Sequence, residues 1–295
     1  MSGSSQLLIA CIIAAGCTLP IFIPVCGRWL TARLCGMSTP ILSFGVGTTK
    51  WTRVLGKFWN TEFRLAPLLF VGYVSIPGLY YMPDKARENA PAAGTEKEAE
   101  LRLYPLWKKL LVTTSAVLSC LLCAWMFLFI AYSGYGAPGF KNTTGQGATI
   151  ERSFQPLSVT QSATLASRSG KDQISTVVRT FAEVFDLLQA ENQKQKLEVP
   201  YGIAAFADHE GMQVNPNGFD VLWVVAVMLV VGAFLNSLPL VGLDGGYFLL
   251  LIWQGLTGRA LTSRVISVHA HISTLILVCL MLWKVYYAFN HPVIL

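Results

Sequence analysis

Five stretches of this sequence run for about 20 residues or more without a charge. They are Leu7 to Gly27, Leu65 to Pro83, Leu110 to Gly139, Val221 to Leu243, and Val265 to Trp283, the last resuming beyond Lys284. A helix needs about 20 apolar residues to cross the hydrocarbon core of a bilayer, so length alone makes each a candidate span. With 53% hydrophobic residues, 13% charged ones and a mean hydropathy of +0.51, the chain holds more apolar material than a soluble core of its size requires. It reads as an integral membrane protein. Spanning helices are predicted over residues 7–29, 110–132, 221–243 and 266–289. The stretch 65–83 differs, because Pro67 and Pro77 interrupt it together with Gly72 and Gly78. It predicts an irregular segment that dips into the membrane or lies along it, sheltered by protein.

Charge orients the spans. Residues 33–109 hold eleven Lys or Arg, including Arg33, Arg64, Lys108 and Lys109 near apolar runs. The positive-inside rule places that loop in the cytoplasm and the N-terminus outside. Arg259 and Arg264, in the short link before the last span, agree. The opening "MSGSSQ" has no basic residue, so the first run reads as a span and not as a cleaved signal. The basic residues are dispersed among acids such as Glu96, Glu98 and Glu100. They point to topology and anionic membrane lipids, not to nucleic acid.

Residues 140–220 form an extracytoplasmic region of two parts. Lys141 to Gly170 is rich in Thr, Ser, Gly and Gln and predicts loop or weak strand. Over 173–191, Val177, Val178, Phe181, Val184, Phe185 and Leu188 recur at helical spacing, which predicts an amphipathic helix. That helix either lies in the membrane plane or packs on a small outer domain. All seven cysteines fall in or beside apolar runs, so no extracellular disulfide framework is expected. Cys120 and Cys123, although spaced CxxC, sit mid-span and read as small-residue packing.

Asp244, in "LPLVGLDGGYFLL", lies within strongly apolar sequence, where a carboxylate is expensive. His209, His269, His271 and His291 form no HExxH, and none shares a helix with Asp244 at ligand spacing. The stretch "FLNSLPLVGLDGGYFLLLIWQGLTGRALTSRV" resembles a segment of the site-2-type intramembrane zinc metalloproteases (M50-type), in which Asn236, Pro239, Leu243, Asp244, Gly245 and Gly246 match. "LEVPYGIAAFA" is similar to the segment that precedes it in that family. "WLTARLCGMSTPILSFGVG" is similar to the family's segment immediately after its HExxH helix, and "FRLAPLLFVGYV" to its membrane-associated β-hairpin.

The resemblance implies an all-α polytopic membrane fold: a core of about four spans, a membrane-associated hairpin and a short extracytoplasmic insertion. Its N-terminal half would be residues 1–139, the insertion 140–220 and the C-terminal core 221–295. It also places the HExxH at residues 24–28, where Pro24, Val25 and Arg28 stand for the first histidine, the glutamate and the second histidine. The family's Gly-Pro-x-x-Asn motif would fall at Ser115, Ala116 and Ser119 and is also missing. Zinc needs three protein ligands and the glutamate as base on its bound water, and only Asp244 remains. The expectation is therefore a pseudoprotease with no catalytic residue, metal or cofactor. Arg28 would either pair with Asp244 in the metal's place or snorkel to the interface while Asp244 caps a helix. Such a chain is expected to hold, assemble or stabilise integral membrane proteins in a hetero-oligomeric complex of a bacterial inner membrane or an organellar one. An active protease with a nonstandard centre, or a lipid- or quinone-binding protein, are the alternatives.

Overall fold

The computed structural model describes residues 3–46, 51–79, 104–143, 149–186, 217–240 and 243–257, with isolated positions between 267 and 279. In chain order they form helix α1 (Gly3–Leu34) and strands β1 (Ile41–Val46), β2 (Arg53–Phe58), β3 (Thr61–Leu65) and β4 (Leu68–Ser75). Helix α2 (Leu106–Tyr135), strands β5 (Ala137–Thr143) and β6 (Thr149–Gln155), and helices α3 (Val159–Asp186), α4 (Gly218–Ser237) and α5 (Asp244–Thr257) complete the order. The protein is mostly helical but not all-α, since four strands lie between α1 and α2 in the sequence. Most of the span expected at 266–289, residues 187–191 of the expected amphipathic helix, and residues 80–83 lie outside the described residues.

Two described helices, α2 and α4, are long and apolar enough to cross a bilayer. On α2, Cys120, Ala124, Leu128 and Ala131 are buried, while Leu118, Leu122, Met126 and Ile130 are exposed along the opposite stripe. An apolar stripe left bare at four-residue spacing suits hydrocarbon and not water.

The chain packs as two compact units. In the first (residues 1–24, 69–71 and 117–234), the small-residue stripe of α2 joins Phe219, Trp223, Val227 and Val230 of α4 in one core. Tyr132 meets Phe219 edge-on at 5.5 Å, and Phe154 of β6 completes an aromatic group. Gly232 lets α4 approach Pro20 of α1, where an added Cβ would lie 3.1 Å from the Pro20 ring.

Helix α3 begins at Val159, well before residue 173 where the periodicity predicts it, and so replaces the expected loop over the later part of 141–170. A capping box explains the early start: Ser158 N–H donates to Gln161 Oε1 at 2.9 Å, and Gln161 N–H donates to Ser158 Oγ at 3.3 Å. Helix α4 is capped in the same reciprocal way. Asn217 Oδ1 accepts from Phe219 N–H at 2.9 Å, and Asp220 Oδ2 accepts from Asn217 N–H at 3.0 Å.

The second unit comprises residues 25–68, 72–116 and 235–295. Its sheet has the order β2-β3-β1-β4, with β1 parallel to β3 and antiparallel to β4. The hairpin expected in "FRLAPLLFVGYV" is not formed there, because β3 and β4 flank β1 and do not pair with each other. Pro67 supplies no N–H for a tight β3–β4 turn, and Ala66 N–H instead donates to Phe44 O on β1 at 2.9 Å. The sheet's hairpin is β2–β3, closed by Trp59 and Asn60 with φ of 48° and 55°. Two successive residues in the left-handed region make the turn whose twist matches paired strands. This hairpin exposes Val54, Leu55, Phe58 and Trp59 beside Arg53 and Lys57.

Candidate functional site

The site grows out of the second half of α1. Two prolines four residues apart, Pro20 and Pro24, lie inside this helix, each removing a backbone donor. Pro24 and Val25 are both buried. Val25 sits against Gly72 of β4: a Cβ there would come 2.9 Å from Val25 Cγ2, so the missing side chain makes room for the valine. One turn beyond Pro24, Arg28 turns its guanidinium to Asp244, and its Nη2 donates to Asp244 Oδ1. The Asp244 side chain is 7% exposed and that of Arg28 is 20%, so the pair is largely withdrawn from water.

The neighbours of Arg28 hold it in place. Trp29 Nε1 donates to Thr61 Oγ1 at 2.9 Å, and Thr61 shares a hydrogen bond of 2.9 Å with Thr39. Phe63, Trp59 and Phe58 surround the Trp29 ring at 5.4, 6.0 and 6.3 Å. Arg33 lies over Trp59 at 5.4 Å. With Trp29 seated on the sheet, the rotation of α1 is fixed, and with it the direction of Arg28.

Asp244 opens α5, where the unpaired N–H groups of the first turn favour a carboxylate in addition to the arginine. Of the two sequence expectations, the ion pair is the one formed: Arg28 turns to Asp244 and not to the interface. Gly245 comes next because nothing larger fits: a Cβ there would overlap the carbonyl oxygens of Ser237 and Leu238 at the end of α4. Gly246 is buried in the same turn, Asn236 is half-buried in the last turn of α4, and Pro239 is exposed in the link between the two helices. Ser115 Oγ donates to Val112 O at 2.7 Å and Ser119 Oγ to Ile23 O at 3.3 Å, so both hydroxyls bond main-chain carbonyls.

The profile of Peptidase family M50 matches residues 19–280, most of the chain. The protein belongs to that family. A Helicobacter pylori protein (strain J99) named "Putative zinc metalloprotease" is 25% identical to it over 114 residues, 39% of this chain and 31% of the relative. The match thus spans about a third of that relative's length. M50 proteins are membrane-associated, and α2 and α4 supply candidate spans.

The M50 family implies zinc, and the residues at 24, 25 and 28, where the resemblance puts the other ligands and the base, do not fit it. Proline and valine have no metal-binding atom, an arginine at position 28 offers donors only, and that arginine bonds Asp244 Oδ1. Among the described residues no group of three or more His, Cys, Asp or Glu side chains is placed to hold a metal ion. Cys120 is buried in the α2–α4 core, and Cys123 packs against it half-buried. His269 and His271 are exposed, with His271 Nδ1 2.6 Å from Ser267 O on its own helical turn. His209 and His291 lie outside the described residues.

Sequence reasoning missed the residues that seat α1, namely Trp29, Thr61 and Thr39. The signal was the aromatic set Phe58, Trp59 and Phe63, which is legible only once β2–β3 is known to be a hairpin.

Proposed function

We propose that this M50-family chain is a catalytically inactive membrane protein that acts as a structural, assembly or stabilising subunit of a membrane-protein complex. The observation that carries the reading is the Arg28–Asp244 ion pair. The acid that the family resemblance assigns to the metal is bonded to a cation of the chain itself, and Val25, packed on Gly72, stands where the general base would be. Both replacements favour a closed, folded centre over a water-activating one.

The proposal includes a core of about four spans, with the basic stretch 33–109 on the cytoplasmic side and 140–220 outside. The exposed β2–β3 hairpin, aromatic and basic together, suits the membrane interface. A bacterial inner membrane is the favoured location and an organellar inner membrane the alternative. The partners are integral membrane proteins and lipids.

M50 membership itself favours a second reading, an active metalloprotease with a nonstandard centre. A lipid- or quinone-binding protein is the third. One experiment separates them: gentle solubilisation of native membranes, capture through a tag in the cytoplasmic loop, and mass spectrometry of the intact complex with metal analysis. A stoichiometric set of membrane partners without zinc is the expected result. One tightly held zinc per chain, with cleavage of a model transmembrane substrate, would restore the protease reading. A co-purifying lipid or quinone without protein partners would favour the third.

A further inference from the structure

Helix α3 belongs to the insertion between α2 and α4, yet it lies against the flank of both helices within the first compact unit. Tyr132 Oη and Ser169 Oγ hydrogen-bond each other at 2.7 Å, and Asp172, Gln173 and Val177 share the walls of a cavity with Trp223 and Val227 of α4. One turn further on, Phe181 meets Phe234 edge-on at 4.9 Å. At 1.5 Å per residue, Phe234 stands about 20 Å along α4 from Val221, where its charge-free run begins. The hydrocarbon core is about 30 Å thick, so with α4 spanning the bilayer α3 reaches beyond its middle. The insertion starts and ends on the outer side in the proposed topology, and α3 enters the membrane from there.

Ala166, Gln173, Val177 and Phe181 form the face of α3 that packs on α2 and α4. On the opposite face Arg168, Lys171, Ser175 and Arg179 recur at three- and four-residue spacing and are all exposed, with Ile174 and Val178 exposed beside them. A helix on a water-soluble domain turns such a face to water. Beside Val227 to Phe234 the surroundings are hydrocarbon, where charged side chains face protein or a water-filled cavity and not lipid. We propose that this stripe docks a transmembrane helix of a partner protein, one that carries a carboxylate. Among the described exposed residues from 168 to 179 three bases stand against one acid, Asp172, so the complement of this face is acidic. A second copy of the chain would set like charges against each other. Ser175 is small enough for a close helix approach, and Ile174 and Val178 add apolar contact on one side of the stripe. The inference rests on the subunit reading and deepens it by naming the surface through which a partner is held.

The test uses the full chain in native membranes, with a photoreactive benzophenone amino acid in place of Ser175. Irradiation should join position 175 to the transmembrane segment of one integral membrane protein, and mass spectrometry of the adduct should find an Asp or Glu in that segment. Lys171→Glu combined with Arg179→Glu should lower capture of that protein about tenfold, while the variant keeps the parent's helical circular dichroism and melting temperature. Changing the mapped acid of the partner to lysine should then restore capture. Adducts to lipid, to a second copy of this chain or to no protein would overturn the proposal, as would capture unaffected by the charge reversal. A complex that survives the reversal leaves the subunit reading standing without this surface, whereas no complex with the parent chain removes both.

Discussion

At the scale of single residues, the centre turns on one ion pair. A lone carboxylate at position 244 would be desolvated without compensation, and a lone guanidinium at position 28 likewise, so each charge makes the other tolerable. Arg28→Met alone should lower stability by about 3 kcal/mol, and Asp244→Leu alone by a similar amount, because each strands a buried charge. Combining the two should recover most of the loss, since an apolar pair of similar volume replaces the ion pair. Thermal unfolding in detergent, arranged as a double-mutant cycle, measures this directly. Additive losses would show that the two side chains do not support each other. The pair was legible as one of two possibilities from the charge at position 28 and the acid at 244. Its support was not, because Trp29 reaches Thr61 across 32 positions of sequence.

Elements show where local chemistry outweighs composition. The run 159–170 looks like loop or weak strand by its serines, threonines and glycine, yet Ser158 and Gln161 nucleate a helix there and buried Ala166 anchors it in the core. Ser158→Ala should destabilise that helix by about 1 kcal/mol, read as a lower melting temperature with a small loss of helical circular dichroism. The junction of α4 and α5 is more demanding. Gly245→Ala should cost about 1–3 kcal/mol, since the added methyl meets backbone oxygens that cannot rotate away. If that variant unfolds like the parent, the two helices do not approach as closely as described. The hairpin went astray in the sequence for a related reason. The "FRLAPLLFVGYV" stretch does contain two strands, but periodicity carries no record of which strand pairs with which.

For the whole molecule, the exposed stripe of α2 makes a prediction about solvent. Leu122 is 60% exposed and Ala124 is 2% exposed, two residues apart on one helix. If the stripe faces lipid, Leu122→Arg should impair membrane integration by about 2.5–3.5 kcal/mol, whereas Leu122→Ala should leave it nearly unchanged. Ala124→Leu should insert normally and then destabilise the folded state by about 1–3 kcal/mol through overpacking against α4. Glycosylation-tagged insertion assays measure the first effect and melting of purified protein the second. Efficient insertion of the arginine variant would place the stripe against protein or water.

The sequence alone determined what depends on summed apolarity and on short motifs. The positions of α2 and α4 follow from their apolar runs, because membrane partitioning is counted residue by residue, but the span expected at 221–243 stops at Ser237, two residues before Pro239. The "LDGG" stretch carried the family resemblance. Only the tertiary structure decided what depends on distant groups meeting. It put β1 between β3 and β4, seated Trp29 on the hairpin, brought Arg28 to Asp244 across 216 positions, and buried the Gln173 amide without a hydrogen-bond partner. The physical reason is common to all four. Hydrogen bonds and ion pairs act over a few ångströms in space, and the chain order of a residue says little about which groups will stand that close.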